Sequence, residues 1–387
     1  MPFDPFDPSI FDDPVPSYHW LLEHHPLYWC EERRIWVLSR FDDVWEATRD
    51  WQTYSSEAGN VYGDANPEMR KRGSESIVMM DPPRHTRLRG LASRAFTLRR
   101  MQAMRERIRE LTLPFLHDML EQDSPDFARD VAIPLPGIVI ADSLGVARDD
   151  IPRLMESTVA MVLVKPDDPD FATRRAAAIV TLDEHFQQVV VERRARPGDD
   201  LVSALTRAEV DGEQLSDEEI VGFARALFNG GHGTTTTLLG DSVVALARAP
   251  SQRTRLVDDP SLMPRAVEEL LRYVSPVQGL MRTVTRDVSL HGQTMAAGDR
   301  LLVLLAAANR DPRELGDPDH LDVTRDIPRH LGFGVGPHHC IGAQLARVET
   351  EVVLTELLRL APGYEIAGDI HYENILSVRS LHHVPIR

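Results

Sequence analysis

The spacing of apolar residues along the chain predicts mostly helices, with one long helix near the middle. The longest helical pattern runs from Glu218 to Arg248, which is enough residues to cross a whole domain. Another amphipathic pattern follows Ile341, where Leu345, Val348 and Val352 recur at three- to four-residue intervals. Their spacing predicts a largely buried helix close to the C-terminal end.

Shorter patterns predict a minor β region and several connecting helices. The segment Asp42–Asp50 has helical spacing, with Asp42 as its N-cap, and Arg34–Ser39 is rich in strand formers. Ile375–Leu381 has a strand–turn–strand pattern. Apolar residues fill Ser157–Val164, and a polar break follows them. The sequence therefore predicts a mainly α protein with a small amount of sheet.

Composition restricts the protein class. The 387 residues are 42% hydrophobic, contain no linker or repeat, and are predicted to form a single domain over residues 1–387. A formal charge of −17 argues against nucleic acid and anionic membranes as partners. Two distant cysteines indicate a reducing compartment. Because no apolar run could span a bilayer, we expect a soluble, cytoplasmic protein with no membrane partner.

The most informative stretch is a glycine-punctuated loop that carries the cysteine Cys340. Residues 333–349 read FGVGPHHCIGAQLARVE, so Gly334, Gly336 and Gly342 stand where the backbone must turn sharply or approach a flat group. A thiolate just before a helix gains from the helix dipole and free N–H groups, which lower its pKa. A lone cysteine is more often a small buried hydrophobe, but this surrounding pattern favours a metal ligand.

This loop resembles the heme-binding loop of the cytochrome P-450 superfamily, F-G-x-G-x-H-x-C-x-G, at every fixed position. The resemblance implies the fold of that family, with heme b held between an oxygen-activation helix and the cysteine loop. It implies that Cys340 is the axial thiolate and metal ligand. By the same match His338 reaches a heme propionate, Phe333 packs beside the sulfur, Gly334 contacts the cofactor, and Gly342 lets the next helix approach the porphyrin.

A second segment predicts donors for carboxylates. In Asp81–Arg89, which reads DPPRHTRLR, His85 and Arg89 share one helix face as two cationic groups. The resemblance implies that both bind heme propionates, and that Arg282 does so by its position. Five neighbouring arginines have no such match: Arg84, Arg87, Arg94, Arg99 and Arg100. Some of them form either a docking patch for an acidic electron donor or ordinary surface.

Three glycines interrupt the long helix, each at a cost of roughly 1 kcal/mol relative to alanine. This cost indicates a groove or a widened turn at Gly230–Thr234. The segment resembles the family's oxygen-activation motif, [A/G]-G-x-[D/E]-T, with Gly230 against the heme and Thr234 as the catalytic hydroxyl. The acid position of the motif is Gly233. Protons would then come through ordered water in the groove, or through His232.

Other family positions imply structural and substrate contacts. Glu269 and Arg272 have the E-x-x-R spacing of a buried structural pair, with His320 as the third partner. Near the heme, the pocket is expected to be lined by three apolar residues, Val277, Leu280 and Met281. The turn around Leu376 is expected to touch substrate. An apolar pocket is suited to a hydrophobic small molecule.

These observations predict a heme-thiolate monooxygenase that takes electrons from ferredoxin and ferredoxin reductase and acts on a small hydrophobic substrate. Because the acid at position 233 is missing, a peroxide-driven or non-oxygenase heme protein is the first alternative. A heme-binding sensor or carrier is the second. A zinc site at His338, His339 and Cys340 lacks a further ligand pair at zinc spacing.

Overall fold

A computed structural model describes residues 3–62, 76–93, 98–162, 170–210, 212–375 and 378–387. Its α-helices are α1 Pro8–Asp12, α2 Val15–His24, α3 Phe41–Arg49, α4 Arg84–Ser93, α5 Leu98–Leu120, α6 Pro134–Leu144, α7 Ile151–Val162, α8 Phe171–Ala195, α9 Leu201–Arg207, α10 Asp217–Arg248, α11 Pro250–Asp258, α12 Met263–Val274, α13 Leu305–Ala308 and α14 Ala343–Leu360. Its strands are β1 Leu27–Cys30, β2 Ile35–Leu38, β3 Tyr54–Ser55, β4 Glu209–Val210, β5 Glu213–Gln214, β6 Leu280–Val284, β7 Val288–Leu290, β8 Gln293–Met295, β9 Arg300–Val303, β10 Tyr372–Ile375 and β11 Val378–Leu381.

Helix α10 is the central element of the helical part. It begins with a capping box, in which the Ser216 hydroxyl accepts from the Glu219 N–H at 3.2 Å and the Glu219 carboxylate accepts from the Ser216 N–H at 2.9 Å. Most of its residues are buried, including Phe223 and Phe228. It packs against α6, α8 and α14. The predicted long helix is therefore confirmed to within one residue at its start.

The β region lies beside the helices as a five-stranded sheet in the order β1–β2–β9–β6–β3. Strand β2 pairs with β9 in parallel, while the other pairs in this sheet are antiparallel. Strand β6 carries Arg282 into the site described below. The sequence prediction of a mainly helical protein with a minor β region is confirmed, and the helix predicted after Ile341 begins at Ala343. The single-domain assignment of residues 1–387 stays a prediction.

The start of α3 differs from the prediction. Its N-cap is Arg40, which makes no side-chain cap bond, and Asp42 lies inside the first turn. The first free N–H, that of Phe41, instead donates to the carboxylate of Asp311 at 3.0 Å. A cap supplied from so far along the chain leaves no local signal in the sequence.

Candidate active site

One cavity brings together residues from α4, α10, β6 and the loop that precedes α14. The predicted site residues that line it are His85, Arg89, Gly230, Thr234, Arg282, Phe333, Gly334, His338, Cys340 and Gly342. The structure thus brings together segments that are far apart in the sequence. Two of the predicted residues, His232 and Gly233, lie on α10 but do not line this cavity.

Cys340 presents its thiol to this cavity from the turn before α14. Its backbone N–H donates to the carbonyl of Phe333 at 2.9 Å, which closes the loop. The residue is accessible through the cavity, yet the surrounding protein raises the pKa of the thiol by desolvation. A hydrogen bond from the Gly342 N–H, and then Arg89 and Arg347, act in the opposite direction. The expected lowering by the helix start is present, but in the protein chain burial outweighs it.

Two glycines in the loop are required by backbone geometry. Gly334 has φ +63° and Gly336 has φ +76°, in the left-handed region that side chains disfavour. A Cβ atom at Gly336 would also lie 2.9 Å from the carbonyl oxygen of Thr48. A side chain at Gly334 would therefore strain the backbone, and one at Gly336 would also clash with it, so both glycines favour the loop path that presents the thiol of Cys340.

Four side chains at one side of the cavity are suited to bind carboxylates. The rings of His85 and His338 lie 4.3 Å apart, and His85 Nδ1 and His338 Nε2 are buried without a hydrogen-bond partner. Burial, followed by nearby arginines, lowers the pKa of His85 to about 4 and that of His338 to about 3. His85 was expected to be cationic, but both rings are neutral hydrogen-bonding groups at neutral pH in the protein by itself.

The positive charge comes from the two arginines. Arg282 is almost completely buried, and burial lowers its pKa to about 10, so it remains charged. Its Nη1 atom donates to the Met281 carbonyl at 2.8 Å, which fixes the guanidinium. Arg89 is half-buried and approaches from α4. Two arginines and two unsatisfied imidazole nitrogens fit a flat group that carries two carboxylates, as heme does, with a thiol beneath it.

The opposite wall is a turn of α10 made narrow by glycine. A Cβ atom at Gly230 would project into open space, whereas one at Gly231 would lie 2.9 Å from Ile140. Thr234 Oγ1 donates to the Gly230 carbonyl at 2.7 Å. The widened turn considered from the sequence is absent, because α10 is a continuous α-helix from Asp217 to Arg248. The groove comes from missing side chains, not from a broken backbone.

His232 lies on the far side of α10. Its Nδ1 atom is 3.0 Å from the Thr158 hydroxyl on α7, and its Nε2 atom is 3.1 Å from the Ile133 carbonyl. Burial lowers the pKa of this imidazole, so it stays neutral. It lines a second cavity of about 760 Å³ between α6, α7, α8 and α10. With both nitrogens occupied there, His232 is poorly placed to replace the acid missing at Gly233.

The remaining walls of the site are mostly apolar. Val277 and Leu280 line the cavity as expected. Met281 does not, because successive residues of β6 point to opposite faces and Met281 packs in another core cluster. The expected contact at Leu376 lies outside the described residues, as do the side chains of Arg94, Arg99 and Arg100. Arg87 pairs with Glu213 and Glu219 at 2.6 and 2.8 Å.

The Glu269–Arg272 pair is buried, as the resemblance implied. Arg272 Nε lies 2.7 Å from Glu269 Oε2, and both side chains are fully buried. The expectation that the His320 side chain is the third partner of this pair is wrong. Arg325 Nε approaches Glu269 at 3.3 Å, and only the backbone carbonyl of His320 takes part, by accepting from Arg325. The longer guanidinium reaches a carboxylate that the exposed imidazole does not.

Sequence reasoning missed two acids near the site. Glu268 accepts from Arg347 at 2.6 and 3.0 Å, and Arg347 lies 4.6 Å from the ring centre of Phe333. This contact fixes the aromatic ring beside Cys340. Glu349 lines the cavity, and burial raises its pKa to about 8. The helical spacing of apolar residues after Ile341 puts Glu349 on the buried face of α14, and this spacing is the sequence feature that could have revealed it.

The Cys340 thiol, donors for two carboxylates and the Thr234 hydroxyl all line one cavity, which is the arrangement that a heme-thiolate oxygenase needs. The family model described as cytochrome P450 matches residues 257–360. The chain is 39% identical to cytochrome P450 130 of Mycobacterium tuberculosis, over 93% of this chain and 91% of that protein. It therefore belongs to the cytochrome P450 family. The family implies heme b as the cofactor, and relatives named as a hydroxylase and an epoxidase support a monooxygenase.

Two further relatives agree with this assignment. The vitamin D(3) 25-hydroxylase of Pseudonocardia autotrophica is 36% identical over 99% of this chain and 96% of its own length. The crystal structure of CYP109E1 from Bacillus megaterium in complex with testosterone is 32% identical, with a TM-score of 0.86 over 97% of this chain and 99% of that one. In the part of the chain that the structure describes, none of the helices combines the length and the hydrophobicity that a membrane span requires.

Proposed function

We propose that this cytochrome P450 inserts one oxygen atom of O₂ into an apolar small organic substrate, using electrons from ferredoxin and ferredoxin reductase. The observation that carries the proposal is the shared cavity of Cys340, the two arginines, the two imidazoles and Thr234. When bound, the heme supplies the iron at which molecular oxygen is activated. Cys340 would hold that iron from one side, and α10 would face it from the other.

The substrate class follows from the cavity walls. Apart from the groups assigned to the cofactor and to proton transfer, the walls are largely aliphatic, with contributions from Ile77, Leu227, Val277, Leu280 and Leu305. Such a surface binds an apolar molecule by excluding water from it, and it offers few groups to orient a charged one. A relative named as a vitamin D(3) hydroxylase and one with bound testosterone support a neutral, alicyclic small molecule as the substrate.

Thr234 is the proposed proton carrier. Its hydroxyl now donates to the Gly230 carbonyl, and rotation about one bond would turn the proton toward the cavity. Position 233 offers open space instead of an acid, so water in that space would resupply the proton. Gly230 leaves this part of the cavity wall without a side chain, so it would let a flat cofactor lie close to α10.

The test uses the heme-loaded protein with NADPH, ferredoxin reductase, ferredoxin and a panel of neutral alicyclic compounds under ¹⁸O₂. We expect one ¹⁸O atom in the product of any compound that shifts the Soret band. Product formed with hydrogen peroxide alone, and none with O₂ and the electron-transfer proteins, would instead favour the peroxide-driven alternative. Binding of charged but not neutral compounds would overturn the substrate class.

A further inference from the structure

A buried carboxylate on α10 has no place in the chemistry described so far. Asp241 lies about two turns beyond Thr234 on the same helix, and its side chain is buried. The Arg379 guanidinium and the Tyr372 hydroxyl both act to lower the pKa of this carboxyl group, and Asp241 Oδ1 has no hydrogen-bond partner. A partly satisfied buried acid destabilises a fold, so its presence calls for a role other than stability.

The partners of this acid belong to the C-terminal hairpin formed by β10 and β11. Tyr372 lies on β10 and Arg379 on β11, and the guanidinium of Arg379 is 3.3 Å from the centre of the Tyr372 ring. Arg379 Nη2 also donates to the Asp12 carbonyl at 2.9 Å. A Cβ atom at Gly240 would be only 3.6 Å from Leu381, so the hairpin packs closely on α10.

The same hairpin reaches the wall of the active-site cavity. Val378, the first residue of β11, forms a backbone bridge with Val277. Val277 is one of the apolar residues that line the cavity. The hairpin therefore packs on α10 next to Asp241 and also pairs with Val277 at the cavity wall.

We propose that Asp241 is a positioning residue that holds the β10–β11 hairpin through Tyr372 and Arg379, and so sets the space for substrate beside Val277. This inference rests on the proposed function, since it assumes that an apolar ligand occupies the cavity. Asp241 would act on affinity for bulky ligands without touching them. It would have no effect on the ligation of the heme.

The charge state of Asp241 makes the role testable. Burial raises its pKa to about 6, against the attraction of Arg379, the Tyr372 hydroxyl and Arg248. Above about pH 6 the carboxylate is charged and attracts Arg379, and below it the attraction is lost. Because the folded-state pKa is raised, ionisation destabilises the fold as pH rises through this range. Asp241→Asn removes the attraction to Arg379, so it should loosen the hairpin at about pH 8. The same substitution removes the cost of burying a charge, so it should not lower the melting temperature.

The experiment compares two iron-binding probes at about pH 8 on the heme-loaded protein. Clotrimazole is bulky and apolar and fills the substrate space, whereas imidazole occupies only the position next to the iron. We expect Asp241→Asn and Tyr372→Phe to weaken clotrimazole binding roughly tenfold, and to leave imidazole binding within about twofold. The control Ser242→Ala removes a buried, unpartnered hydroxyl from the same turn of α10 and should change neither.

Hydrogen exchange of residues 372–381, measured without any ligand, gives an independent result. Exchange corrected for intrinsic rates should be faster in Asp241→Asn than in wild type at about pH 8. Wild type at about pH 5 should resemble the variant. Unchanged clotrimazole affinity together with unchanged protection would overturn the inference. Failure of wild type to bind clotrimazole would contradict the apolar substrate cavity, and the exchange result would still decide the role of Asp241.

Discussion

The thiol of Cys340 is the group on which the chemistry of the site depends. It is the soft ligand in the cavity, and the loop carbonyl of Phe333 fixes the backbone that presents it. Cys340→Ser should therefore abolish the long-wavelength Soret band that thiolate-ligated ferrous heme gives with carbon monoxide. Cys30→Ser alters a buried cysteine outside this cavity and should leave the band unchanged. A band that survives in Cys340→Ser would disprove the ligation.

Arg282 is expected to dominate retention of the heme. It is buried in the cavity and remains charged, and each charge-assisted hydrogen bond to a carboxylate contributes about 1.5–3 kcal/mol. Arg282→Ala should release heme to apomyoglobin at least about tenfold faster than wild type. Arg87→Ala is a matched control, because its guanidinium pairs with acids away from the cavity. Equal release rates in the two variants would contradict the assignment.

Glu349 makes the stability of the fold depend on pH. Burial raises its pKa to about 8 from an ordinary value of 4.5, so the folded state holds a proton that the unfolded state loses. Its contribution to the free energy of unfolding therefore falls between about pH 5 and pH 8, by roughly 2–4 kcal/mol. Urea unfolding at these two pH values should show this loss in wild type, and a flatter profile in Glu349→Gln. Parallel profiles would show that Glu349 ionises normally.

At the residue scale, local sequence indicated most of the predicted residues that line the cavity, because they lie in short motifs with fixed backbone geometry. The left-handed φ values at Gly334 and Gly336 are one example. What it could not predict is set by distant contacts and by burial. The neutral state of His85 depends on the surrounding protein, and the approach of Arg325 to Glu269 depends on a loop more than fifty residues away.

At the scale of elements, α10 was predictable because its apolar spacing is continuous along the sequence. Its capping residues, Ser216 and Glu219, also lie close together in the chain at its start. The continuity of its backbone was not predictable, since glycines permit both a regular and a widened turn. The side to which each residue points decides its function. Thr234 faces the cofactor cavity, and His232 faces α7, although only one residue separates them.

This orientation gives a prediction for proton delivery along α10. Thr234→Ala should still bind apolar ligands and accept electrons, but yield about tenfold less product per electron pair and more hydrogen peroxide. Gly233→Asp places a carboxylate in open space beside it and should raise the product yield if proton supply is limiting. His232→Ala serves as the comparison and should leave coupling unchanged. Coupling lost in His232→Ala but kept in Thr234→Ala would reverse the two roles.

At the scale of the whole molecule, the buried pair of Glu269 and Arg272 joins α12 to the segment that follows the sheet. Arg272 Nη1 donates to the carbonyls of Asn309 and Pro318 at 3.0 and 2.8 Å, and Asn309 in turn accepts from the Leu331 N–H just before the cysteine loop. One guanidinium thus holds together a helix and the polypeptide that leads to Cys340. Its satisfaction by four acceptors explains why it tolerates complete burial.

Removing one member of this pair should destabilise the protein more than any surface change. Arg272→Ala leaves the carboxylate of Glu269 buried without its main partner and removes the donor to two carbonyls, at a cost of about 3–5 kcal/mol. We expect heme-loaded protein to be recovered poorly, with a clearly lower melting temperature. Arg325→Ala, which removes a longer and partly exposed contact, should cost less and still fold. Arg387→Ala breaks an exposed pair with Glu365 and should have no measurable effect. If Arg272→Ala retained wild-type stability, the pair would not hold the cysteine loop in place.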